Sequence, residues 1–301
     1  MVVVRKNSVI VEQPVGEPRQ ANINGELFPP FFQADNIRSA KTLETFPDDV
    51  FVLTFPKCGT TWVQHIVCQL MIEDYELQPG KEMFKYTPMI ELVGGAVASQ
   101  IPRPRILKSH LSVQNLPTLN QSRCILVWRN PKDTLVSWFH QMRNIKGYNW
   151  EHGSFDLFFE MFCEGRIAFG SYFDYHKAWL PYLKDPNVLL LKYEDMIADL
   201  KSSVVRIGEF LGGRAMAAVH NRDSLDVVLE NSSFDSMKRD QNRWFPNVLR
   251  HPDQFIRKGR SRDWKNYLSK EQSDKIDQMF AKHFRETAVE EWWKEEMKWE
   301  G

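Results

Sequence analysis

The segment Val50-Phe51-Val52-Leu53-Thr54-Phe55-Pro56-Lys57-Cys58-Gly59-Thr60-Thr61-Trp62 constrains this chain more than any other. Its first six residues form a short, continuous apolar run rich in β-branched and aromatic side chains, which suits a strand buried on both faces. Beyond the turn, Trp62, Val63, Ile66, Val67, Leu70 and Met71 fall at helical spacing. Such a strand–turn–helix aims free amides and the positive end of the helix dipole at an anion, and Lys57 adds a full charge. The usual ATP loop has four residues between two glycines and a Lys-Ser/Thr pair at the helix start, whereas here the lysine precedes the only glycine. The plain alternative is an ordinary turn with Thr60 as N-cap.

Three further runs share the character of the first: Arg105-Ile106-Leu107-Lys108, Cys124-Ile125-Leu126-Val127-Trp128 and Val188-Leu189-Leu190-Leu191. Helical patterns near 131–145, 155–183 and 194–211 lie between or after them, so the alternation predicts an α/β fold with a central parallel sheet flanked by helices. In the last pattern Ile197, Leu200, Val204, Ile207 and Leu211 make one stripe, which Gly212-Gly213 ends. The stretch 233–263 is long and irregular, yet Phe234, Met237, Trp244, Phe245 and Phe255 favour a packed lid or binding segment over disorder. A helix over 269–284 and a Trp-rich tail close the chain. Without a linker or repeat, residues 1–301 are expected to form a single domain, with 1–24 a flexible N-terminal arm and 286–301 a C-terminal tail.

Lysine plus arginine equal aspartate plus glutamate at 39 each, which argues against a nucleic-acid partner held by net positive charge. No stretch approaches the roughly 18 uninterrupted apolar residues of a membrane span, and Met1–Lys6 lacks a signal peptide's apolar core. A cytoplasmic protein without a membrane partner is expected. Cys58, Cys68, Cys124 and Cys163 include no Cys-x-x-Cys pair, which argues against zinc and disulfides. Cys58 is read as a small residue filling a tight turn rather than as a nucleophile.

Three clusters suit an anionic ligand. Lys108-Ser109-His110 follows the second strand on the side where open α/β sheets bind ligands; His110 can take a proton there, while His65, His140 and His176 lie within helical patterns. Arg129-Asn130-Pro131-Lys132-Asp133 follows the third strand, with Ser137 on the next helix. Either Arg129 and Ser137 hold a phosphate, or Asn130 caps the helix and Arg129 pairs with Asp133. Arg257-Lys258-Gly259-Arg260-Ser261-Arg262 concentrates positive charge around a glycine whose amide can approach an anion, the alternative being a solvated run.

Together these segments resemble the cytosolic sulfotransferase family, from about residue 25 to 285. Pro56-Lys57-Cys58-Gly59-Thr60-Thr61-Trp62 looks like its 5′-phosphosulfate loop, a P-loop-like element usually reading Pro-Lys-Ser-Gly-Thr-Thr-Trp; Lys108-Ser109-His110 looks like its Lys-x-His segment. Arg129 to Ser137 resembles the 3′-phosphate site, Tyr193-Glu194-Asp195 its Tyr-Glu-Asp segment, and Arg257-Lys258-Gly259 its Arg-Lys-Gly loop. The resemblance implies transfer of a sulfuryl group from 3′-phosphoadenosine 5′-phosphosulfate (PAPS) to a hydroxyl or amine, leaving adenosine 3′,5′-bisphosphate and using no metal. It makes His110 the general base and Lys57 and Lys108 the stabilisers of the transferring group. Residues 57–62, namely Lys57, Cys58, Gly59, Thr60, Thr61 and Trp62, hold the 5′ end; Arg129, Ser137, Arg257, Lys258 and Gly259 hold the 3′-phosphate. Trp62 and Phe234 enclose adenine, with Tyr193, Ser232 and Met237 completing its pocket.

The acceptor side is read from aromatic content: Phe28, Phe31, Phe32, Phe84, Tyr148, Trp150 and Phe245, with Lys108, suit a phenol, catechol or monoamine over a steroid. Two features depart from the family pattern. Cys58 stands where serine is common, and Lys270 replaces the central valine of the segment Lys-x-x-x-Thr-Val-x-x-x-Glu through which many members dimerise, so a monomer or weak homodimer is expected. The rivals are a nucleotide kinase, for which the lysine position and metal carboxylates are missing, and a donor-binding protein without catalysis, which needs neither His110 nor Lys108.

Overall fold

The four apolar runs pair into one parallel sheet, and its carboxyl edge gathers the charged segments. The computed structural model describes residues 4–6, 9–73, 75, 85–119, 121–239, 243–245, 249–251 and 255–300. Among the described residues there are eight strands: β1 Val4–Lys6, β2 Val9–Glu12, β3 Gln20–Ile23, β4 Glu26–Phe28, β5 Val50–Thr54, β6 Ile106–Ser109, β7 Arg123–Trp128 and β8 Val188–Lys192. The parallel sheet runs β6-β5-β7-β8, with Leu53 opposite both Ser109 and Leu126, and Trp128 opposite Lys192. The chain leaves central β5 for one neighbour and returns to the other, which makes the β5 edge a switch point where the following loops part and leave a crevice.

Because strand side chains alternate, Phe51, Leu53, Leu107, Leu126 and Trp128 enter one core, while Val50, Val52, Ile106, Ile125 and Val127 enter the other. The helix Thr60–Met71 covers the second face with Val63, Ile66, Val67 and Leu70, joined by Val204, Ile207 and Leu211 of the helix Leu200–Leu211. The helices Pro131–Asn144, Phe155–Glu164, Tyr172–Trp179 and Lys270–Phe284 cover the first.

Several boundaries differ from the periodic reading. The pattern over 155–183 is two helices, because Gly165 takes a left-handed conformation that closes the first and Ser171 caps the second. Tyr193–Ala198 and Leu200–Leu211 are likewise separate, since Asp199 caps the latter through Ser202 N–H; Ile197 is therefore exposed and leaves the stripe. The stretch 233–263 begins with a short helix, Phe234–Arg239.

The expected flexible arm is instead part of an antiparallel sheet, β1-β2-β3-β4, in which Ala21 and Ile23 are buried. Asn24 and Gly25 both have positive φ, as the tight turn between β3 and β4 demands. That sheet buttresses the site: Arg19 N–H donates to Tyr148 O (2.8 Å) and Phe169 N–H to Leu27 O (2.7 Å).

Candidate active site

His110 follows β6, and its ring is oriented from β5. Its Nδ1 lies 2.8 Å from the carbonyl oxygen of Thr54, and a carbonyl can only accept. The proton therefore sits on Nδ1, and Nε2 keeps its lone pair for the cavity that His110 lines. Thr54 Oγ1 is 3.2 Å from the same Nδ1 and 2.6 Å from Thr60 Oγ1, so this polar strand end ties histidine to loop. Buried Glu91 accepts the His110 backbone N–H at 2.6 Å. Burial and the charge on Lys108 hold the imidazole well below its usual pKa.

Around this histidine lie three cations: Lys57, Lys108 and Arg129 all line one cavity of about 280 Å³. None of them makes an ion pair among the described residues. Lys57 Nζ donates to Gln141 Oε1 (3.1 Å) and stands 4.6 Å over the Phe255 ring. Arg129 donates to the carbonyls of Lys57 (3.2 Å) and Arg260 (3.5 Å), lies on the Tyr193 ring and leaves its buried Nε without a partner. Burial first, then Arg129, Lys108 and Arg257, pull Lys57 down to about 7. Burial also lowers Lys108 and raises Glu91. A buried lysine whose proton is disfavoured by burial and by neighbouring cations suits an anionic ligand.

The loop is shaped for the same purpose. Lys57 and Gly59 both have positive φ, and no side chain caps the helix that Gly59 begins, so its first-turn amides stay open. Thr60 is therefore not the cap, its hydroxyl being turned to Thr54. A Cβ on Gly59 would stand 2.9 Å from the Tyr193 ring. Cys58 does not line the cavity: its thiol is buried near Thr134, and burial pushes it up to about 12, the opposite of what activates a nucleophile.

At the far end Asn130 caps its helix by accepting from Asp133 N–H, as one of the two readings had it, but the Arg129–Asp133 ion pair does not form. Asp133 instead accepts from Ser261 Oγ and the backbone N–H of Arg262 and Trp264. This lashes the basic run to the helix. The run is not free in solvent: Arg257, Lys258 and Arg260 converge on buried Asp263, at 2.6, 2.6 and 3.4 Å. Burial pushes that carboxyl up, but hydrogen bonds from Lys258 and Arg257 outweigh it and hold it far below the carboxylate range.

Gly59, Thr60, Thr61, Trp62, Ser137, Tyr193 and Ser232 line the same cavity. So do Phe234, Met237, Arg257, Lys258 and Gly259. Trp62 Nε1–H donates to Ser232 O (2.8 Å), which fixes the indole, while Ser232 Oγ turns to Gln69. Gly259 packs directly on the Phe234 ring, leaving no room for a Cβ. On the acceptor side Phe31, Phe32, Tyr148 and Phe245 line the cavity. Phe28 does not; it packs behind Phe32 and Phe169, and Trp150 is taken up by Gly16 O. Phe84 lies outside the described residues.

The sequence reading passed over Thr54, Glu91, Gln141 and Phe169. Thr54 carried a signal, a hydroxyl closing an apolar strand at the loop. Phe169, with positive φ, is held 5.3 Å from the His110 ring by tertiary packing and announced itself by nothing local.

Residues 47–288 match the family model described as a sulfotransferase domain. Sulfotransferase 2A1 of Homo sapiens is 32% identical over 269 residues, covering 85% of this chain and 92% of its own. The amine sulfotransferase of Oryctolagus cuniculus is 31% identical, covering 82% and 84%. Among solved structures, mouse sulfotransferase SULT7A1 complexed with PAP superposes with a TM-score of 0.78 at 28% identity, covering 93% of this chain and 100% of that one.

Proposed function

The chain belongs to the sulfotransferase family and is a PAPS-dependent enzyme; on that premise we propose that Lys57, Lys108 and His110 carry the transfer to the hydroxyl of a small aromatic acceptor. The observation that carries this reading is that Lys57, Lys108 and Arg129, none of them in an ion pair among the described residues, line one cavity with a histidine whose Nδ1 is held by Thr54. The donor supplies an activated sulfuryl group on its 5′-phosphate and a second phosphate at the 3′ position. The uncapped helix and Lys57 suit the first, and Arg129, Ser137 and the Arg257–Gly259 loop suit the second.

In the reaction His110 Nε2 takes the acceptor hydroxyl's proton as the oxygen forms its bond to sulfur. The bond between sulfur and the phosphate oxygen breaks, and Lys57 and Lys108 lie where the leaving phosphate gains charge. Adenosine 3′,5′-bisphosphate is the product.

For the acceptor, the support is the wall of Phe31, Phe32, Trp138, Tyr148 and Phe169 near His110. Tyr148 Oη is buried without a partner among the described residues, and suits a polar substituent on a ring. No carboxylate lines the cavity among those residues, which favours a neutral phenol over a charged amine. Sulfur-labelled PAPS offered with phenols, monoamines and steroids tests the reading. Phenols should show the highest kcat/KM; preference for a steroid or an amine overturns the acceptor assignment, and no transfer to any overturns the catalytic one.

A further inference from the structure

Both halves of the 3′-phosphate region are gripped from behind by the last fifteen residues of the chain. Trp293 Nε1–H donates to Glu194 Oε2 at 2.7 Å, and both side chains are buried. The other oxygen, Oε1, accepts from Asn130 N–H (3.0 Å) and Nδ2 (2.8 Å), and Asn130 directly follows Arg129. On the opposite half, Trp264 Nε1–H donates to Glu296 O (2.9 Å) and Arg262 Nη2 to Lys298 O (3.1 Å). Between them the buried ammonium of Lys132 reaches Met297 O at 2.6 Å. Trp293 itself has a positive φ, a conformation a bulky side chain holds only where its surroundings impose it.

We propose that this C-terminal segment is a clasp that sets the distance between the Arg129 half and the Arg257–Gly259 half, with Trp293 as its positioning residue. It rests on the reading of those residues as the 3′-phosphate site. The physical argument is one of satisfaction: without the indole N–H, Glu194 Oε2 is a buried acceptor with no donor, and the carboxylate that fixes Asn130 beside Arg129 is free to turn. Among the described residues no hydrogen bond or ion pair joins the tail to the 57–62 loop, so the effect is expected to be confined to ligands bearing a 3′-phosphate.

Trp293→Phe keeps a ring against Phe280 and Trp292 while removing the donor along with part of the indole. Dissociation constants for adenosine 3′,5′-bisphosphate and adenosine 5′-monophosphate, measured on both proteins, separate the possibilities. We expect the bisphosphate to weaken about tenfold, as loss of one hydrogen bond to a charged group allows, with the monophosphate unchanged and kcat at saturating donor within a few-fold. An unchanged ratio of the two constants overturns the clasp. A wild-type protein that does not prefer the bisphosphate overturns instead the site reading on which it rests. Should Trp293→Phe not fold, Arg262→Ala removes from the surface the hydrogen bonds to Lys298 O and Glu300 O, one of the tail's two holds on the other half, and the same ratio decides.

Discussion

Lys57→Met should remove most of the proton uptake that accompanies binding of adenosine 3′,5′-bisphosphate at pH 8. In the ligand-free protein, burial and the neighbouring Arg129, Lys108 and Arg257 hold Lys57 at about 7, so at pH 8 roughly a tenth of the molecules carry its proton. A nucleotide bringing several negative charges to the ammonium returns the group toward its ordinary value near 10.4, and the complex therefore takes up roughly 0.9 proton at this residue. Lys108, lowered by burial, adds a further fraction. His110, held well below its ordinary value, adds none at pH 8. The sign follows from linkage: the protonated lysine favours binding, so affinity is full below about pH 7 and falls by roughly tenfold per unit as pH rises above it, until the pKa of the complex is reached. At pH 6 the Lys57 share shrinks to roughly 0.1 proton. Calorimetry in two buffers of different ionisation enthalpy reads the uptake directly. An uptake lower by roughly 0.9 proton in Lys57→Met than in the wild type, with the Lys108 share left in the variant, is the expected result. Uptake near zero in the wild type at pH 8, or equal uptake in both proteins, refutes the argument that burial and the neighbouring cations hold Lys57 near 7.

His110→Ala should lower turnover roughly 100-fold to 10,000-fold while leaving the nucleotide's dissociation constant within a few-fold; single-turnover rates with bound donor check it, and near-normal turnover removes the histidine from the chemistry. Gly59→Ala places a Cβ against Tyr193 at a φ of +105, which should cost about 1–3 kcal/mol of stability and weaken the nucleotide; thermal melting with and without ligand reports both, and an unaltered melt shows that the loop tolerates the side chain. Cys58→Ser should leave transfer intact, because the thiol faces Thr134 rather than the cavity; a loss beyond a few-fold in kcat/KM would mean that it acts on the donor.

The legible parts of this molecule are those in which a local pattern has a local cause. Continuous apolar strands, a glycine turn and charged residues at strand ends brought Lys57, His110 and Arg129 to one edge of the sheet. Asn24-Gly25 was equally local, and shows that a hairpin signal lay at the very end of the segment read as a flexible arm. The orientation of Cys58, the withdrawal of Phe28 behind Phe32 and the approach of Phe169 to His110 depend on packing between distant segments. Trp293 meets Glu194 across 99 residues. No spacing rule connects an indole to a carboxylate at that range, because the contact exists only after both have been carried there by the sheet and the last long helix.

Asp263 gathers three positive side chains before any ligand arrives. A loop of bare cations would hold a departing bisphosphate as firmly as an arriving donor, and a cycle of transfer would stall on its own product. On the proposed assignment of this loop to the 3′-phosphate, a resident carboxylate would compete with that phosphate for the same side chains and give them a partner when it leaves. On that assignment the buried acid would work as a counterweight, giving up tightness of capture for speed of release.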